Sequence, residues 1–251
     1  MKTLLLAAAG FAVLTATAFG QGQTVRIATE GAYPPFNFIN EAGAPAGYEI
    51  DLAQAICEEA GLTCEFVIND WDSIIPNLLA GNYDLIMAGM SITEERQQTI
   101  DFTDDYYPPD PSKFAGMAGA GLDLANLSGA RIGAQGNTLQ ANYITETFGQ
   151  NNEIVAFETA DQALADLAAG NLDLIFTDGT FLDPVVASSN GSIEFVGEDV
   201  LLGEGIAAGI RKEDSDLKSS IDAALTTLKQ NGTVDELIAQ HFSGAGPFYS
   251  N

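Results

Sequence analysis

The chain has 251 residues, which is enough for one large domain or two small ones. Hydrophobic residues make up 46% of the chain, so it can bury a core and is not a disordered protein. Acidic residues outnumber basic residues 35 to 9, a formal net charge of −26, which excludes nucleic acid and anionic membranes as partners because phosphate binding needs a basic face.

Residues 1–20 have the pattern of a secretory signal peptide. A basic start at Lys2 precedes an apolar run over residues 4–14, and Ala16–Ala18 forms a small-x-small cleavage motif. The apolar run is too short to span a bilayer, which takes about 20 residues. We therefore expect a soluble, exported protein whose mature chain begins near Phe19, or near Gln21 if cleavage follows Gly20.

The next part of the chain alternates between strand and helix patterns. The pattern predicts a strand over 25–29, a helix over 48–57, a strand over 64–68, a helix over 72–79 and a buried strand over 83–87. This alternation is typical of a largely parallel sheet covered by helices, and so of an α/β fold.

Cys57 and Cys64 are the two cysteines of the chain. They flank the turn at Gly61 between a predicted helix and a predicted strand, and an even count in an exported protein favours a disulfide. Two reduced, buried thiols are the alternative. No histidine or third cysteine lies nearby, so we expect no metal site.

The second half of the chain begins with an extended segment. Pro108, Pro109 and Pro111 exclude a helix over 104–111 and predict a crossover between two lobes. Beyond it, the pattern predicts strands over 131–134, 152–157 and 203–210, and helices over 215–229 and 234–242. If the strand over 203–210 returns to the first lobe, two strands join the lobes and the functional site lies between them.

An internal echo supports two similar lobes. The segment LLAGNYDLI at 78–86 reappears as LAAGNLDLI at 167–175. Each copy predicts the end of a helix, a glycine just after it, and the start of a strand. The spacing is too wide for a solenoid repeat, so duplication of an α/β lobe is the favoured interpretation and chance similarity the alternative.

Motifs of covalent catalysis find little support. His241 is the only histidine, and no Ser or Cys accompanies it in an activating context. The sequence lacks a Gly-x-Ser-x-Gly elbow, a phosphate loop and a dinucleotide fingerprint. Carboxylates are so abundant that two of them can be close by accident. We therefore predict no catalytic residues and no cofactor.

Four residues are candidates for binding an anion or a cation at the carboxyl ends of strands, where open α/β sheets bind ligands. Arg96 and Ser91 follow one buried strand, and Arg96 suits a carboxylate. Thr138 begins a helix and can present a hydroxyl and backbone N–H groups to the same anion. Asp178 ends the matching strand of the second copy and suits an ammonium group. The plain alternatives are an Arg96 paired with a neighbouring glutamate and a Thr138 that merely caps its helix.

Three further candidates end or follow strands of the first lobe. Tyr33 and Trp71 offer aromatic faces that can hold an aliphatic stem or a guanidinium. Glu30 ends the first strand and can meet a cationic side chain. The alternatives are core packing for the two aromatic residues and a solvated surface position for the acid.

Five segments resemble one known family. They are IATEGAYPPF at 27–36, GYEIDL at 47–52, DWDSIIP at 70–76, MSITEERQQ at 90–98 and IDFT at 100–103. They resemble the periplasmic polar-amino-acid-binding proteins of ABC uptake systems, above all the lysine/arginine/ornithine-, histidine- and opine-binding branch. The match runs in order from about residue 24 to about residue 244, and the Cys57–Cys64 spacing resembles the single disulfide of that branch.

The resemblance implies a two-lobe, hinge-closing (Venus-flytrap) fold. Residues 21–108 and 206–251 would form lobe I, and residues 109–205 would form lobe II. Arg96 would bind the ligand α-carboxylate with the backbone of Ser91 and Thr138, while Asp178 would bind the α-ammonium with the Gly89 carbonyl and the Ser91 hydroxyl.

The side-chain part of the site is carried over in the same way. Tyr33 and Trp71 would flank the ligand side chain, and Glu30 would face its distal end. The chain departs from the family pattern where Ala88 and Gly89 replace serines of several relatives and Asn137 replaces a common threonine. These departures affect the prediction of side-chain selectivity.

The function implied is that of a monomeric periplasmic solute-binding protein that captures a cationic amino acid or an opine and delivers it to an inner-membrane permease without bond chemistry. Two alternatives remain open from the sequence. One is an enzyme similar to the cyclohexadienyl dehydratases of this fold, and the other is a soluble ligand sensor for a membrane receptor.

Overall fold

The computed structural model describes residues 22–250, and the predicted signal peptide lies outside this range. The helices are α1 (Tyr48–Ala60), α2 (Trp71–Leu79), α3 (Glu94–Thr99), α4 (Leu139–Phe148), α5 (Ala160–Ala168), α6 (Gly179–Ser188), α7 (Ser215–Gln230) and α8 (Thr233–His241). None of the helices in this range is long and apolar enough to cross a membrane.

The strands form two five-stranded sheets and one small three-stranded sheet. They are β1 (Thr24–Thr29), β2 (Ala32–Tyr33), β3 (Asn37–Ile39), β4 (Pro45–Ala46), β5 (Thr63–Ile68), β6 (Leu85–Ile86), β7 (Asp101–Phe102), β8 (Ser112–Met117), β9 (Arg131–Gln135), β10 (Glu153–Phe157), β11 (Leu174–Asp178), β12 (Ile193–Val200) and β13 (Gly209–Ile210). The first large sheet has the order β5-β1-β6-β13-β7, the second has the order β10-β9-β11-β8-β12, and β2, β3 and β4 form the small one.

Each large sheet contains one strand that runs against the other four. In the first sheet β1 is parallel to β5 and β6, whereas β13 is antiparallel to both of its neighbours. In the second sheet β9 is parallel to β10 and β11, whereas β8 is antiparallel to both of its neighbours. β8 and β13 arrive from the other sheet and enter at the edge where the remaining strands end. The predicted α/β fold with mostly parallel sheets is confirmed.

Two adjacent segments connect the large sheets, at 103–111 and at 201–208. They are hydrogen-bonded to each other, because the Ile206 carbonyl accepts from the Tyr106 N–H at 2.8 Å and the Ile206 N–H donates to the Tyr107 carbonyl at 2.9 Å. The predicted strand over 203–210 is therefore shorter than expected, since Ile206 forms only isolated bridges before β13 begins. The lobe boundaries at 108/109 and 205/206 fall within these segments and stay a prediction.

The first copy of the internal echo, at 78–86, covers the end of α2 and is hydrogen-bonded to β1. After α2 the chain turns at Gly81, whose φ is 77°. The Asp84 carboxylate then accepts hydrogen bonds from the Arg26 backbone N–H at 3.0 Å and from the Arg26 guanidinium at 2.8 Å. The guanidinium also donates to the Gly81 carbonyl at 3.1 Å.

The second copy repeats this arrangement on β9. After α5 the chain turns at Gly170, whose φ is 75°. The Asp173 carboxylate accepts from the Arg131 backbone N–H at 2.7 Å, and the Arg131 guanidinium donates to the Gly170 carbonyl at 2.8 Å. The same hydrogen bonds at both places favour duplication over chance similarity.

The longest helix, α7, packs on the core through one apolar face. Five apolar residues recur at helical spacing along α7, and all of them are buried: Leu217, Ile221, Ala224, Leu225 and Leu228. Next to this layer, Cys57 of α1 and Cys64 of β5 form a disulfide with their Cα atoms 6.0 Å apart. Gly61 makes the intervening turn in the left-handed region, with φ of 67°. The predicted disulfide is confirmed.

Candidate functional site

A cleft lies where the carboxyl ends of β1, β6, β9 and β11 face one another. All eight residues predicted to bind a ligand line it: Glu30, Tyr33, Trp71, Gly89, Ser91, Arg96, Thr138 and Asp178. Five further lining residues were not predicted: Ala88, Gln135, Leu139, Gln140 and Thr177. Parallel strands end at one edge of each sheet, which explains why residues distant in sequence meet here.

The two sides of the cleft touch each other at its outer rim. The Trp71 indole N–H donates to the Asn137 carbonyl at 3.1 Å, and the Asn137 amide donates to Asp72 at 2.9 Å. Asn137 has φ of 55°, a left-handed conformation that asparagine tolerates and that strains a β-branched residue. Asparagine at this position, where relatives commonly have threonine, therefore suits both the backbone conformation and the hydrogen bond to Asp72 across the cleft.

Arg96 lies in α3 and points into the cleft. Its helix is started by Thr93, whose hydroxyl accepts from the Arg96 backbone N–H at 3.1 Å. The guanidinium donates to the Ser91 carbonyl at 2.8 Å and lies 5.3 Å from the Trp71 ring centroid. Among residues 22–250 no carboxylate forms an ion pair with it, so the predicted alternative of a glutamate partner is not observed.

Burial lowers the pKa of Arg96 to about 10, and the guanidinium therefore stays charged at neutral pH. Its position also changes the expectation for Trp71. One cation already lies against the indole, and it belongs to the protein. Trp71 therefore holds Arg96 in place as well as facing the cleft.

Thr138 is the N-cap of α4. Its hydroxyl accepts from the Ala141 backbone N–H at 3.1 Å and donates to the Gln135 carbonyl at 2.7 Å. Both hydrogen bonds of the hydroxyl are therefore made within the protein, and Thr138 caps its helix as the alternative interpretation expected. The N–H groups at the start of α4 remain the groups that can meet an anion at this end of the cleft.

Asp178 is a buried carboxylate at the end of β11, only 9% exposed. It accepts hydrogen bonds from the Tyr33 hydroxyl at 2.7 Å, from Gln140 at 2.5 Å and from Ser112 at 3.2 Å. Burial raises its pKa in spite of these donors. No Lys, Arg or His lies within ion-pair distance of it within residues 22–250. The buried carboxylate thus faces the cleft with Arg96 as the cation that attracts it from beyond contact distance.

Tyr33 serves the core and the cleft together. Its ring stacks on Phe181 with centroids 5.1 Å apart, and its hydroxyl holds Asp178. A Cβ added at Gly89 would lie 3.3 Å from the Tyr33 ring, and Gly89 has φ of 64°. Glycine at this position therefore has a conformational reason, beyond the absence of a serine hydroxyl.

Glu30 occupies the other end of the cleft. It is 9% exposed and accepts a hydrogen bond from Gln135 at 2.6 Å. Burial raises the pKa of Glu30 to about 7, and Asp70, Asp161 and Asp72 add to this by repulsion. The end of the cleft at β1 is consequently acidic, and a neighbouring hollow continues it past Glu30 and Asp70.

Gln135, Gln140 and Ser112 were missed because their role depends on three-dimensional position. Gln140 follows Thr138 in the first turn of α4, so its place beside a predicted site residue was a usable signal. Ser112 begins β8, a strand that no pattern predicted, and no sequence signal pointed to it. Gln135 is the last residue of β9, and Glu30 is the first residue after β1, so both lie at the carboxyl end of a strand.

A comparison with protein families identifies the chain. The model of the bacterial extracellular solute-binding proteins, family 3, matches residues 25–244. This chain belongs to that family. The predicted resemblance is thereby confirmed.

Relatives of known ligand stand at moderate sequence identity. This family 3 protein is 33% identical to the L-arginine-binding protein of Pseudomonas aeruginosa, over 96% of both chains. It is 34% identical to the histidine-binding periplasmic protein of Salmonella typhimurium, over 96% of this chain and 97% of that one. A solved structure of a periplasmic His/Glu/Gln/Arg/opine family-binding protein from Silicibacter pomeroyi in complex with lysine is 47% identical, with a TM-score of 0.83 over 90% of this chain and 100% of that one.

Proposed function

We propose that this protein captures a cationic amino acid of the arginine, lysine and ornithine type, or an opine, and delivers it to an ABC permease. One observation carries the proposal: Arg96 and Asp178 face the same cleft, and neither has an ion-pair partner within residues 22–250. Two opposite charges that line one cleft without ion-pair partners suit the carboxylate and ammonium groups of an α-amino acid.

The α-amino-acid end of the ligand is held by three kinds of group. Arg96 binds the carboxylate, together with the backbone N–H groups of Ser91 and Thr138. Asp178 binds the ammonium, together with the Gly89 carbonyl and the Ser91 hydroxyl. In support, the Ser91 hydroxyl and the Gly89 carbonyl accept or donate no hydrogen bond within the described part of the chain.

The side chain of the ligand extends between Tyr33 and Trp71 toward Glu30. A cationic tip gains a charge-assisted hydrogen bond from Glu30, whereas a carboxylate tip meets a region of negative potential. The raised pKa of Glu30 supports this role, because its buried carboxylate lacks a cation that the ligand can supply.

Ligand capture works by closure and without bond chemistry. The closed form binds better than the open form because both sides of the cleft contact the ligand, and only that difference shifts the population. The relatives described above are binding proteins, which supports this choice over a dehydratase. Export to the periplasm, a monomeric state and delivery to the permease belong to the same proposal.

A ligand screen on the mature chain, residues 21–251, tests the proposal. Thermal-shift measurements should select arginine, lysine, ornithine or an opine, and calorimetry should show one site per chain. Incubation with prephenate or arogenate should yield no product. A protein stabilised by no amino acid or opine, or one that turns over either compound, would overturn the proposal.

A further inference from the structure

The GYEIDL motif contains a buried carboxylate that no part of the proposed ligand clamp uses. Glu49 lies in the first turn of α1 and is 0% exposed. No Lys, Arg or His forms an ion pair with it within residues 22–250. Burial raises its pKa. A group that is costly to bury is satisfied here by hydrogen bonds alone.

The hydrogen bonds of Glu49 reach three different segments around the cleft. Oε1 accepts from the Gly89 backbone N–H at 2.7 Å and from the Tyr106 hydroxyl. Oε2 accepts from the Asn37 side-chain amide at 2.7 Å, and the side-chain oxygen Oδ1 of Asn37 accepts from the Gly31 N–H at 2.7 Å. One carboxylate thus fastens a cleft-wall glycine and a residue of the 103–111 crossover, and through Asn37 it reaches the residue that follows Glu30.

The hydrogen bond from the Gly89 N–H to Glu49 matters most for the shape of the cleft. Glycine has more backbone freedom than any other residue, and Gly89 adopts φ of 64°. If its N–H is not held, the next peptide group, which carries the Gly89 carbonyl, can rotate away from the cleft. That carbonyl is the oxygen that the proposed function assigns to the ligand ammonium.

We infer that Glu49 is a positioning residue that aims the Gly89 carbonyl at the α-ammonium of the ligand and ties this wall of the cleft to the crossover at Tyr106. The inference rests on the proposed function, because it needs an ammonium at Gly89. It concerns recognition of the amino group and leaves the carboxylate clamp at Arg96 unaffected.

The test compares L-arginine with 5-guanidinopentanoic acid, which lacks the α-amino group and keeps the carboxylate and the guanidinium. Calorimetry gives the ratio of their affinities, which measures recognition of the ammonium alone. In Glu49→Gln the Asn37 amide, whose own oxygen is held by Gly31, takes the glutamine oxygen, so the glutamine NH2 group faces the Gly89 N–H and cannot accept from it. This should lower the ratio about tenfold, the effect of one hydrogen bond to a charged group. A residue that merely stabilises the fold would lower both affinities together and leave the ratio unchanged.

A double variant provides the rescue. In Asn37→Asp with Glu49→Gln, the glutamine amide donates to the new carboxylate, and the glutamine oxygen accepts from Gly89 and Tyr106. The carboxylate at position 37 still accepts from the Gly31 N–H. Every hydrogen bond of the network is thereby restored, and only the donor and the acceptor between positions 37 and 49 are exchanged. The double variant should recover an affinity ratio within about threefold of the parent.

A milder pair of variants keeps the test valid if Glu49→Gln fails to fold. Tyr106→Phe removes one donor to Glu49 and should lower the ratio about threefold. Tyr83→Phe is the matched control, because the Tyr83 hydroxyl donates to the Ile74 carbonyl and does not touch Glu49. The control should keep the parental ratio.

The outcomes separate this inference from the proposed function. A parent that binds arginine, with the same ratio in Glu49→Gln or in Tyr106→Phe, overturns the inference alone. A double variant that folds but stays as poor as Glu49→Gln overturns it as well. A parent that binds neither probe nor any other amino acid overturns the proposed function and the inference together.

Discussion

Two unpaired charges dominate the cleft at the scale of single residues. Arg96 and Asp178 each have neutral hydrogen-bond partners but no ion-pair partner within residues 22–250. Burial opposes the charged form of both groups, as the lowered pKa of Arg96 and the raised pKa of Asp178 indicate. A zwitterionic ligand relieves both penalties at once.

Arg96→Ala should weaken binding of the preferred amino acid by a factor of about a thousand. The ligand carboxylate would be desolvated without its partner, which costs about 3–5 kcal/mol. Calorimetry measures the loss, and Arg131→Ala is the control because Arg131 pairs with Asp173 in the echo segment. An Arg96→Ala protein that binds within tenfold of the parent would contradict the clamp.

Glu30 should make binding of arginine pH-dependent. Its pKa lies near 7 in the ligand-free fold, against an ordinary value of 4.5. Between these values the unfolded chain is ionised while the fold holds the proton, so this group lowers the free energy of unfolding as pH rises from about 4.5 to 7. A guanidinium favours the ionised form, so arginine affinity should rise over the same window and level off above it.

Calorimetry at pH 6 in two buffers of different ionisation enthalpy measures the proton released on binding. The parent should release a substantial fraction of a proton per arginine. Glu30→Gln should release less, even though Asp110, whose pKa is also raised to about 7, can contribute in both proteins. Equal release by the two proteins would remove Glu30 from the contact with the ligand.

The site residues that sequence predicted share one property, a position at or beyond the end of a strand, or near the start of a helix. Glu30, Ser91 and Asp178 satisfy that rule and do line the cleft. Ser112 and Gln140 donate hydrogen bonds to Asp178, and of the two only Gln140 lies near a predicted site residue in the sequence. Their contribution depends on how β8 and α4 pack, which local pattern does not specify.

At the scale of elements, the local patterns predicted bounds for α1, α2, α7 and α8, four of the eight helices, and for β1, β5, β6, β9 and β10 among the parallel strands. β8 and β12 were not predicted, because their segments SKFAGM and IEFVGEDV contain glycines and charged residues that interrupt the alternation of apolar and polar residues. α6 contains Pro184, which argues against a helix in a sequence taken alone. The strand predicted over 83–87 is shorter in the structure, since only Leu85 and Ile86 pair with their neighbours.

The disulfide joins two of these elements and should contribute modestly to stability. Cys57 and Cys64 are seven residues apart, so the bond restricts only a short loop of the unfolded chain. Replacing both by serine should lower the free energy of unfolding by about 2–3 kcal/mol without changing ligand affinity more than a few-fold. Urea unfolding monitored by circular dichroism checks this. A loss below about 0.5 kcal/mol would show that the bond does not stabilise the fold.

At the scale of the whole molecule, the rim contact between Asn137, Trp71 and Asp72 joins the two sides of the cleft. Contacts that exist only in the closed form should slow ligand release more than they speed capture. Asp72→Ala removes the acceptor of the Asn137 amide. We expect its dissociation rate to rise about threefold to tenfold, with the association rate little changed.

Trp71 provides the signal for that experiment, because it is the only tryptophan of the chain and lies on the cleft. Stopped-flow fluorescence separates the two rates. Ser73→Ala is a suitable control, since the Ser73 hydroxyl bonds within α2 and its surroundings and does not reach across the cleft. A change confined to the association rate would contradict a role of the rim in holding the closed form.

The most direct test is a fluorescence titration of Trp71 with L-arginine, L-glutamine and L-glutamate, in the parent and in Glu30→Gln. We expect one saturable arginine site in the parent, weaker glutamine binding and the weakest binding for glutamate. Glu30→Gln should narrow the gap between arginine and glutamine by about tenfold to a hundredfold, the effect of one charge-assisted hydrogen bond. Glutamate binding as tight as arginine binding in the parent would contradict a cleft that selects cationic side chains.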